Sequence, residues 1–292
     1  MADSAHMSYW QNQYKLPSGY TLIGYSRARE ATGFYCLELD MAFDAGVPTD
    51  MVPEFICLTH LHSDHVSCLH KMLIGNTKNP LIFIPNDNKF EELLVTMLKS
   101  IYLASKYISS RSQKGSDPKT KFPYQFLRLN VGQAFEFKKL NNSSYFVEGL
   151  PSDHGVGSIS FGIYESRKKC KAGYENLSSS EYLQLKKDGI IFTEQYKHPI
   201  ICYMSDTTIN ALLCPSNIFS YPVIVIECTF IDPDDLCQVK KKKHIHWDQL
   251  YPIIQKQEKN IFILTHFSKK YTWSHVKDFF DKNTVSTQIV VW

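Results

Sequence analysis

The chain has 292 residues, 43% hydrophobic and 21% charged, which supplies ample material for a buried core and excludes a disordered or collagen-like chain. A formal net charge of +3 gives no bulk argument for nucleic acid, so any basic footprint must be local. Eight cysteines occur without a CxxC pair, and neither a secretory h-region nor a membrane-length apolar run is visible; the expectation is a soluble, cytoplasmic protein with reduced thiols.

The opening Met1–Gly19 is polar and aromatic, with Met7 as an alternative start. Short β-branched or aromatic runs then predict strands over Tyr20–Ile23, Phe34–Leu39, Phe55–Leu58 and Leu81–Ile84, followed by a helix over Asn88–Ala104. The polar segment Ser109–Lys121, with Gly115, Ser116 and Pro118, reads as a loop or insertion. Tyr145–Val147 is the next strand. A second polar stretch, Glu165–Ser180, carries Arg167, Lys168, Lys169 and Lys171 and leads into a helix over Ser179–Lys187. Strands at Ile200–Tyr203, Val223–Ile226, Ile261–Leu264 and Thr287–Val291 then alternate with helices at Trp247–Lys256 and Ser274–Asp281. This order predicts two β-sheets packed face to face with helices outside. Neither polar stretch is long enough to divide the chain and no internal repeat is visible, so residues 1–292 are read as one domain.

Chemistry concentrates in Thr59-His60-Leu61-His62-Ser63-Asp64-His65, directly after a predicted buried strand. Three imidazoles and a carboxylate in six residues suit a borderline cation such as Zn²⁺, which takes nitrogen and oxygen ligands and, in catalytic sites, leaves a position for water. Three more donors follow strands further on: His154 after Tyr145–Gly149, Asp206 after Ile200–Tyr203, and His266 after Ile261–Leu264. Singly, each could be a loop histidine, a helix cap or a satisfied core residue. Their repeated placement at strand ends, after a cluster that needs more ligands, makes them candidates to complete the site of a metal-dependent hydrolase. His6, His70, His198 and His275 lack such context.

The ligand order HLHSDH, single His, Asp, final His resembles the metallo-β-lactamase superfamily. Within it the chain is similar to tRNase Z, the endoribonuclease that trims precursor-tRNA 3′ trailers, in its short plant-type form. The similarity runs from about Gly19 to Val276. It includes Ala42-Phe43-Asp44-Ala45-Gly46, Ser205-Asp206-Thr207, Ile226-Glu227-Cys228-Thr229-Phe230, His244-Ile245-His246 and Leu264-Thr265-His266-Phe267-Ser268-Lys269-Lys270-Tyr271.

The resemblance implies an αββα four-layer sandwich, with one zinc on His60, His62 and His154, a second on Asp64, His65 and His266, and Asp206 bridging. Mn²⁺ or Fe²⁺ would also suit these donors. It assigns Asp64 to the attacking water, and Glu227 with His244 to proton delivery to the leaving 3′-oxygen. His246 is the alternative at that position. It further implies a homodimer acting on precursor tRNA after the discriminator nucleotide, with Glu165–Glu175 as the counterpart of the tRNA clamp. The run Lys240, Lys241, Lys242 and Lys243, entering His244, is either a solvated loop or a set of phosphate contacts. Ser63, Met204-Ser205 and Lys270 depart from the family pattern; Lys270 stands where an Arg is usual and cannot clamp phosphate bidentately. The rivals are another hydrolase on the same scaffold (a cyclic-nucleotide phosphodiesterase, a thioesterase or a β-lactamase) and a non-catalytic RNA-binding relic.

Overall fold

The computed structural model describes residues 8–73, 77–106, 124–140, 143–283 and 288–292. Among them fourteen strands form two seven-stranded sheets, each ordered as the chain runs. The first holds β1 (Gln13–Lys15), β2 (Thr21–Arg27), β3 (Ala31–Cys36), β4 (Met41–Phe43), β5 (Phe55–Cys57), β6 (Leu81–Pro85) and β7 (Gln125–Leu129). The second holds β8 (Ala134–Leu140), β9 (Ser143–Leu150), β10 (Ser160–Cys170), β11 (Thr193–Ser205), β12 (Val223–Glu227), β13 (Ile261–Thr265) and β14 (Ile289–Val291). The segment Ser109–Lys121 and His6 lie outside the described residues.

Period-two alternation explains the layering. In β5, Phe55 and Cys57 enter the core between the sheets with Phe34, Tyr203 and Val225, while Ile56 joins Leu69, Phe90 and Leu94 on the outer face. In β12, Val223 and Val225 face the same inter-sheet core, and Ile224 and Ile226 pack outward with Trp247, Leu250 and Phe280. Strands buried on both faces must be apolar throughout, which is why these runs are continuous rather than alternating in sequence. Each such side chain contributes about 1.5–3 kcal/mol on burial. The helix Asn88–Lys106 covers the first sheet, and Trp247–Ile254 and Trp273–Asn283 cover the second, giving the αββα sandwich.

The two sheets use one topology twice. In each, the first three pairings are antiparallel and the last three parallel. No sequence repeat announces this. Its consequence is that two sets of parallel strands end near each other, and carboxyl ends of parallel strands are where α/β sheets place ligand sites.

The polar stretch after Glu165 is more ordered than its composition suggests. β10 continues through Arg167, Lys168 and Lys169 to Cys170, paired with Thr193–His198 of β11. The neighbouring β9 stops at Ser144 opposite Ser166, and no residue from 166 to 199 is buried. This hairpin, with the helix Ser179–Lys187 near its tip, therefore stands off the sheet as an arm. Among the described residues no helix is long and apolar enough to cross a membrane.

Candidate active site

Every expected metal ligand sits just past a strand end: His60, His62, Asp64 and His65 after β5, His154 after β9, Asp206 after β11 and His266 after β13. The chain turns sharply there. Asp44, Ser205 and His266 hold left-handed φ values of 55°, 48° and 61°, each costing about 1 kcal/mol or more and concentrated where the site is assembled. Gly46 lets the loop after β4 press on the β5 loop: a Cβ there would lie 1.7 Å from the Asp64 carbonyl oxygen. Beside it, the Ala45 amide donates to the His65 carbonyl at 2.6 Å.

The donor atoms fall into two groups that share Asp206. In the first, His62 Nδ1 lies 3.0 Å from His60 Nε2 and 3.2 Å from His154 Nε2, and Asp206 Oδ2 lies 3.6 and 3.9 Å from those two Nε2 atoms. In the second, Asp206 Oδ1 is 3.4 Å from His65 Nε2 and 3.2 Å from His266 Nε2, with Asp64 Oδ2 at 3.8 and 3.4 Å from the same nitrogens. These separations bracket the roughly 3.3 Å edge of a tetrahedron whose bonds are about 2.0–2.1 Å.

Hydrogen bonds behind the rings fix which nitrogen faces inward. His65 Nδ1 donates to Asp44 Oδ2 at 2.9 Å, and His154 Nδ1 to the Lys243 carbonyl at 3.0 Å. Thr59 Oγ1 donates to Asp44 and so accepts from His60 Nδ1 at 3.0 Å. Thr229 Oγ1 donates to Glu227 and accepts from His266 Nδ1 at 3.1 Å. With the Nδ1 protons engaged, four Nε2 lone pairs converge on the cluster, the arrangement metal-binding histidines need. Asp44 and Thr229 were not among the expected site residues. Asp44 is fully buried and also accepts from Tyr203 and Ser205 hydroxyls at 2.9 and 3.1 Å.

Two observations test whether a cation fits. His65 Nε2 and Asp206 Oδ1 are buried without a hydrogen-bond partner, facing each other at 3.4 Å. Such orphaned atoms are costly unless something else occupies their lone pairs. For three of the histidines and both carboxylates the protonation pattern agrees. Burial holds His60, His62 and His154 below the ordinary imidazole range, as neutral ligands. Burial opposes charge on Asp206 and Asp64 too, yet His266 and His65 around them hold both carboxyls well below the usual range. His65 is pushed the other way: burial is outweighed by Asp206 and Asp44. The residues fit metal binding.

Glu227 ends β12 fully buried and accepts four hydrogen bonds: Oε1 from the Thr207 amide at 2.7 Å and from His244 Nδ1 at 2.8 Å, Oε2 from the Thr229 hydroxyl and from the Ile245 amide at 3.1 Å. The His244 ring lies 5.2 Å from that of His154 and 5.4 Å from that of His266, so it borders the ligands. Burial disfavours its imidazolium, but the charge and hydrogen bond of Glu227 push its pKa up to about 9. His246 does not join this pair. Its ring is buried among other partners, with Nδ1 accepting from the Asp248 amide at 3.1 Å and Nε2 bonded to the Asp232 carbonyl at 2.8 Å, so it caps the helix Trp247–Ile254. The loop turns the two residues in different directions, so His244 borders the ligand cluster and His246 faces the helix Trp247–Ile254.

Lys240, Lys241 and Lys242 lie exposed in the last turn of the helix Leu236–Lys242. Lys243 ends it at φ 51°, aiming its carbonyl at His154, while its ammonium reaches the His154 carbonyl at 3.2 Å and Asp153 at 3.5 Å. Lys243 is thus tied to His154 through its carbonyl, while its side chain stays exposed. Lys270 pairs with Asp235 and Asp232.

The stacked sheets, with this cluster at the ends of their parallel strands, define a protein of the metallo-β-lactamase fold. YhfI of Bacillus subtilis, which has that fold, superposes with a TM-score of 0.53 at 14% identity, over 88% of this chain and 87% of its own. No protein-family model matches the chain. Its sequence is 25% identical over 271 residues to tRNase Z TRZ1 of Arabidopsis thaliana, covering 89% of both chains. It is also 25% identical over 268 residues to the chloroplastic tRNase Z TRZ2 of the same plant, covering 89% of this chain and 70% of the relative.

Proposed function

We propose that the chain is a metal-dependent endoribonuclease that removes the 3′ trailer of precursor tRNA by hydrolysis after the discriminator nucleotide. The observation that carries this is the Glu227–His244 pair at 2.8 Å beside the Asp206-centred cluster. The similarity to two tRNase Z proteins over 89% of the chain supports it. A cluster alone suits many ester hydrolyses. A ribose 3′-oxygen is a poor leaving group and needs a proton as its bond to phosphorus breaks, which the thiolate of a thioester does not.

His60, His62, His154 and Asp206 would hold one cation, and Asp64, His65, His266 and Asp206 the other. Five imidazoles and two carboxylates suit zinc, with manganese and iron as alternatives. Bound there, divalent cations supply Lewis-acid polarisation of a phosphoryl oxygen and a lowered pKa for water. The protein performs the rest. Asp64, its Oδ2 fixed by the Arg29 amide at 2.7 Å, orients the attacking water and takes its proton. The water oxygen bonds to phosphorus as the bond to the 3′-oxygen breaks. His244 gives its proton to that oxygen, and Glu227 stabilises the imidazolium before transfer and holds the ring throughout. The products are a 3′-hydroxyl on the tRNA and a 5′-phosphate on the trailer.

The same reading assigns residues 1–292 to one domain, a cytoplasmic location, and a homodimer in which one subunit's arm grips the tRNA while the other cuts. Light scattering with size-exclusion chromatography tests the dimer. The class of reaction is tested by offering zinc-loaded protein bis(p-nitrophenyl) phosphate, a β-lactam and a glutathione thioester. Turnover of the phosphodiester alone is expected; preference for either acyl substrate would return the chain to the scaffold's other hydrolases.

A further inference from the structure

Bordering His244 lies a cleft of about 520 Å³, lined by Arg29, Phe230, Lys242, His244, Lys269 and Lys270 among others. Its volume falls within the roughly 300–1,000 Å³ range of small-ligand sites. Its cations are not equivalent. Lys270 is neutralised by Asp235, and Lys269 lies 3.8 Å from Glu30. Lys242 sits over the Phe230 ring at 5.7 Å with no carboxylate partner among the described residues. The Arg29 guanidinium is exposed and makes neither hydrogen bond nor ion pair among the described residues.

The backbone of Arg29 is placed with more care than its exposure suggests. It occupies the β2–β3 turn at φ 61°, a conformation ordinarily left to glycine, and its amide donates to Asp64 Oδ2 at 2.7 Å. An arginine kept where glycine would be unstrained puts a free guanidinium at the cleft within one residue's reach of the carboxylate that handles water. In an in-line displacement the leaving oxygen lies opposite the attacking water. His244, which would protonate that oxygen, lines this cleft, so the nucleotide that owns it lies within the cleft's reach.

Resting on the ribonuclease reading, we propose that this cleft binds the nucleotide whose 3′-oxygen departs, and that Arg29 grips the phosphate on that nucleotide's 5′ side, with Lys242 assisting. Guanidinium forks suit phosphate bidentately, which lysine cannot match.

The test is steady-state cleavage of precursor tRNA by metal-loaded wild type, Arg29→Gly and Arg29→Lys across a salt series. Glycine suits φ 61° and keeps the amide to Asp64, so Arg29→Gly removes the side chain alone. Expected is a KM raised on the order of tenfold in Arg29→Gly, with partial recovery in Arg29→Lys. The slope of log KM against log salt should be shallower by about 0.7–0.9, the loss of one phosphate contact. Wild-type KM and slope in Arg29→Gly would overturn the inference while leaving the ribonuclease intact. So would loss of metal or of kcat at unchanged KM, which would reduce Arg29 to its amide. Failure of the wild type to cut precursor tRNA would sink the function and this inference together.

Discussion

Glu227 and Asp44 do parallel work at the ends of β12 and β4: each is a fully buried carboxylate that fixes one histidine directly and another through a threonine hydroxyl. Their removal should have different signatures. His244→Ala should keep its metals yet lose on the order of a hundredfold or more in kcat on precursor tRNA, and far less on bis(p-nitrophenyl) phosphate, whose leaving group departs as an anion. Equal losses on both substrates, or lost metal, would remove His244 from the acid role. Because that acid must be protonated, kcat on RNA should fall as pH rises through the His244 pKa, which Glu227 holds above the ordinary imidazole range. In Glu227→Gln the main opposition to burial is removed, so this limb should move to lower pH; an unmoved limb would contradict the pairing. His246→Ala should change kcat little while lowering stability by about 1 kcal/mol or more through the lost cap, read by denaturant melts. Asp44→Asn cannot accept from Thr59, Tyr203, Ser205 and His65 together, and should weaken metal retention against a chelator about 10- to 100-fold. Retention equal to wild type would deny Asp44 that role. The ligands were legible because four of them crowd into six residues. Asp44 stood in a recognisable motif, but nothing local marks a carboxylate whose partner is a ring 21 residues away.

Among the elements, those buried on both faces were the readable ones. β5, β12 and β13 are continuous apolar runs because the inter-sheet core and a helix layer each claim alternate residues. β4 escaped notice because it spans three residues between Asp40 and Asp44. β10 was not among the expected strands; its second half reads as a polar stretch because it leaves the sheet and pairs with β11 in solvent, where no apolar face is required. The helix Ser179–Lys187 was legible despite burying nothing, since Ser178 and Glu181 form a reciprocal capping box. The arm presents Lys168 and Lys169 exposed, with Lys171 half-buried beside them. Replacing these three with alanine should weaken precursor-tRNA affinity and flatten its salt dependence by about 0.7–0.9 per lost phosphate contact, measured by filter binding, with turnover of bis(p-nitrophenyl) phosphate unchanged. Affinity unaltered across the salt series would show that the arm does not bind RNA through these lysines.

At the scale of the whole molecule, the layered order was inferable from strands and helices alone, whereas the twofold use of one topology was not, because β1 to β7 and β8 to β14 share pairing pattern without shared residues. That pattern brings the ends of β4 and β5 opposite those of β11, β12 and β13, so a first-half loop supplies four ligands and the second half supplies His154, Asp206 and His266. The proposed general acid and the basic cleft come from the β12–β13 crossover and the β2–β3 turn, which pack against the same edge. The resulting claim is specific about one bond. Incubating metal-loaded protein with a precursor tRNA bearing a 3′ trailer, and mapping both product ends, tests it most directly. The account predicts a single cut after the discriminator nucleotide, a 3′-hydroxyl on the tRNA, a 5′-phosphate on the trailer, and no cut in Asp206→Ala. Cleavage elsewhere, a 3′-phosphate, or an intact precursor beside rapid turnover of a small diester would contradict it.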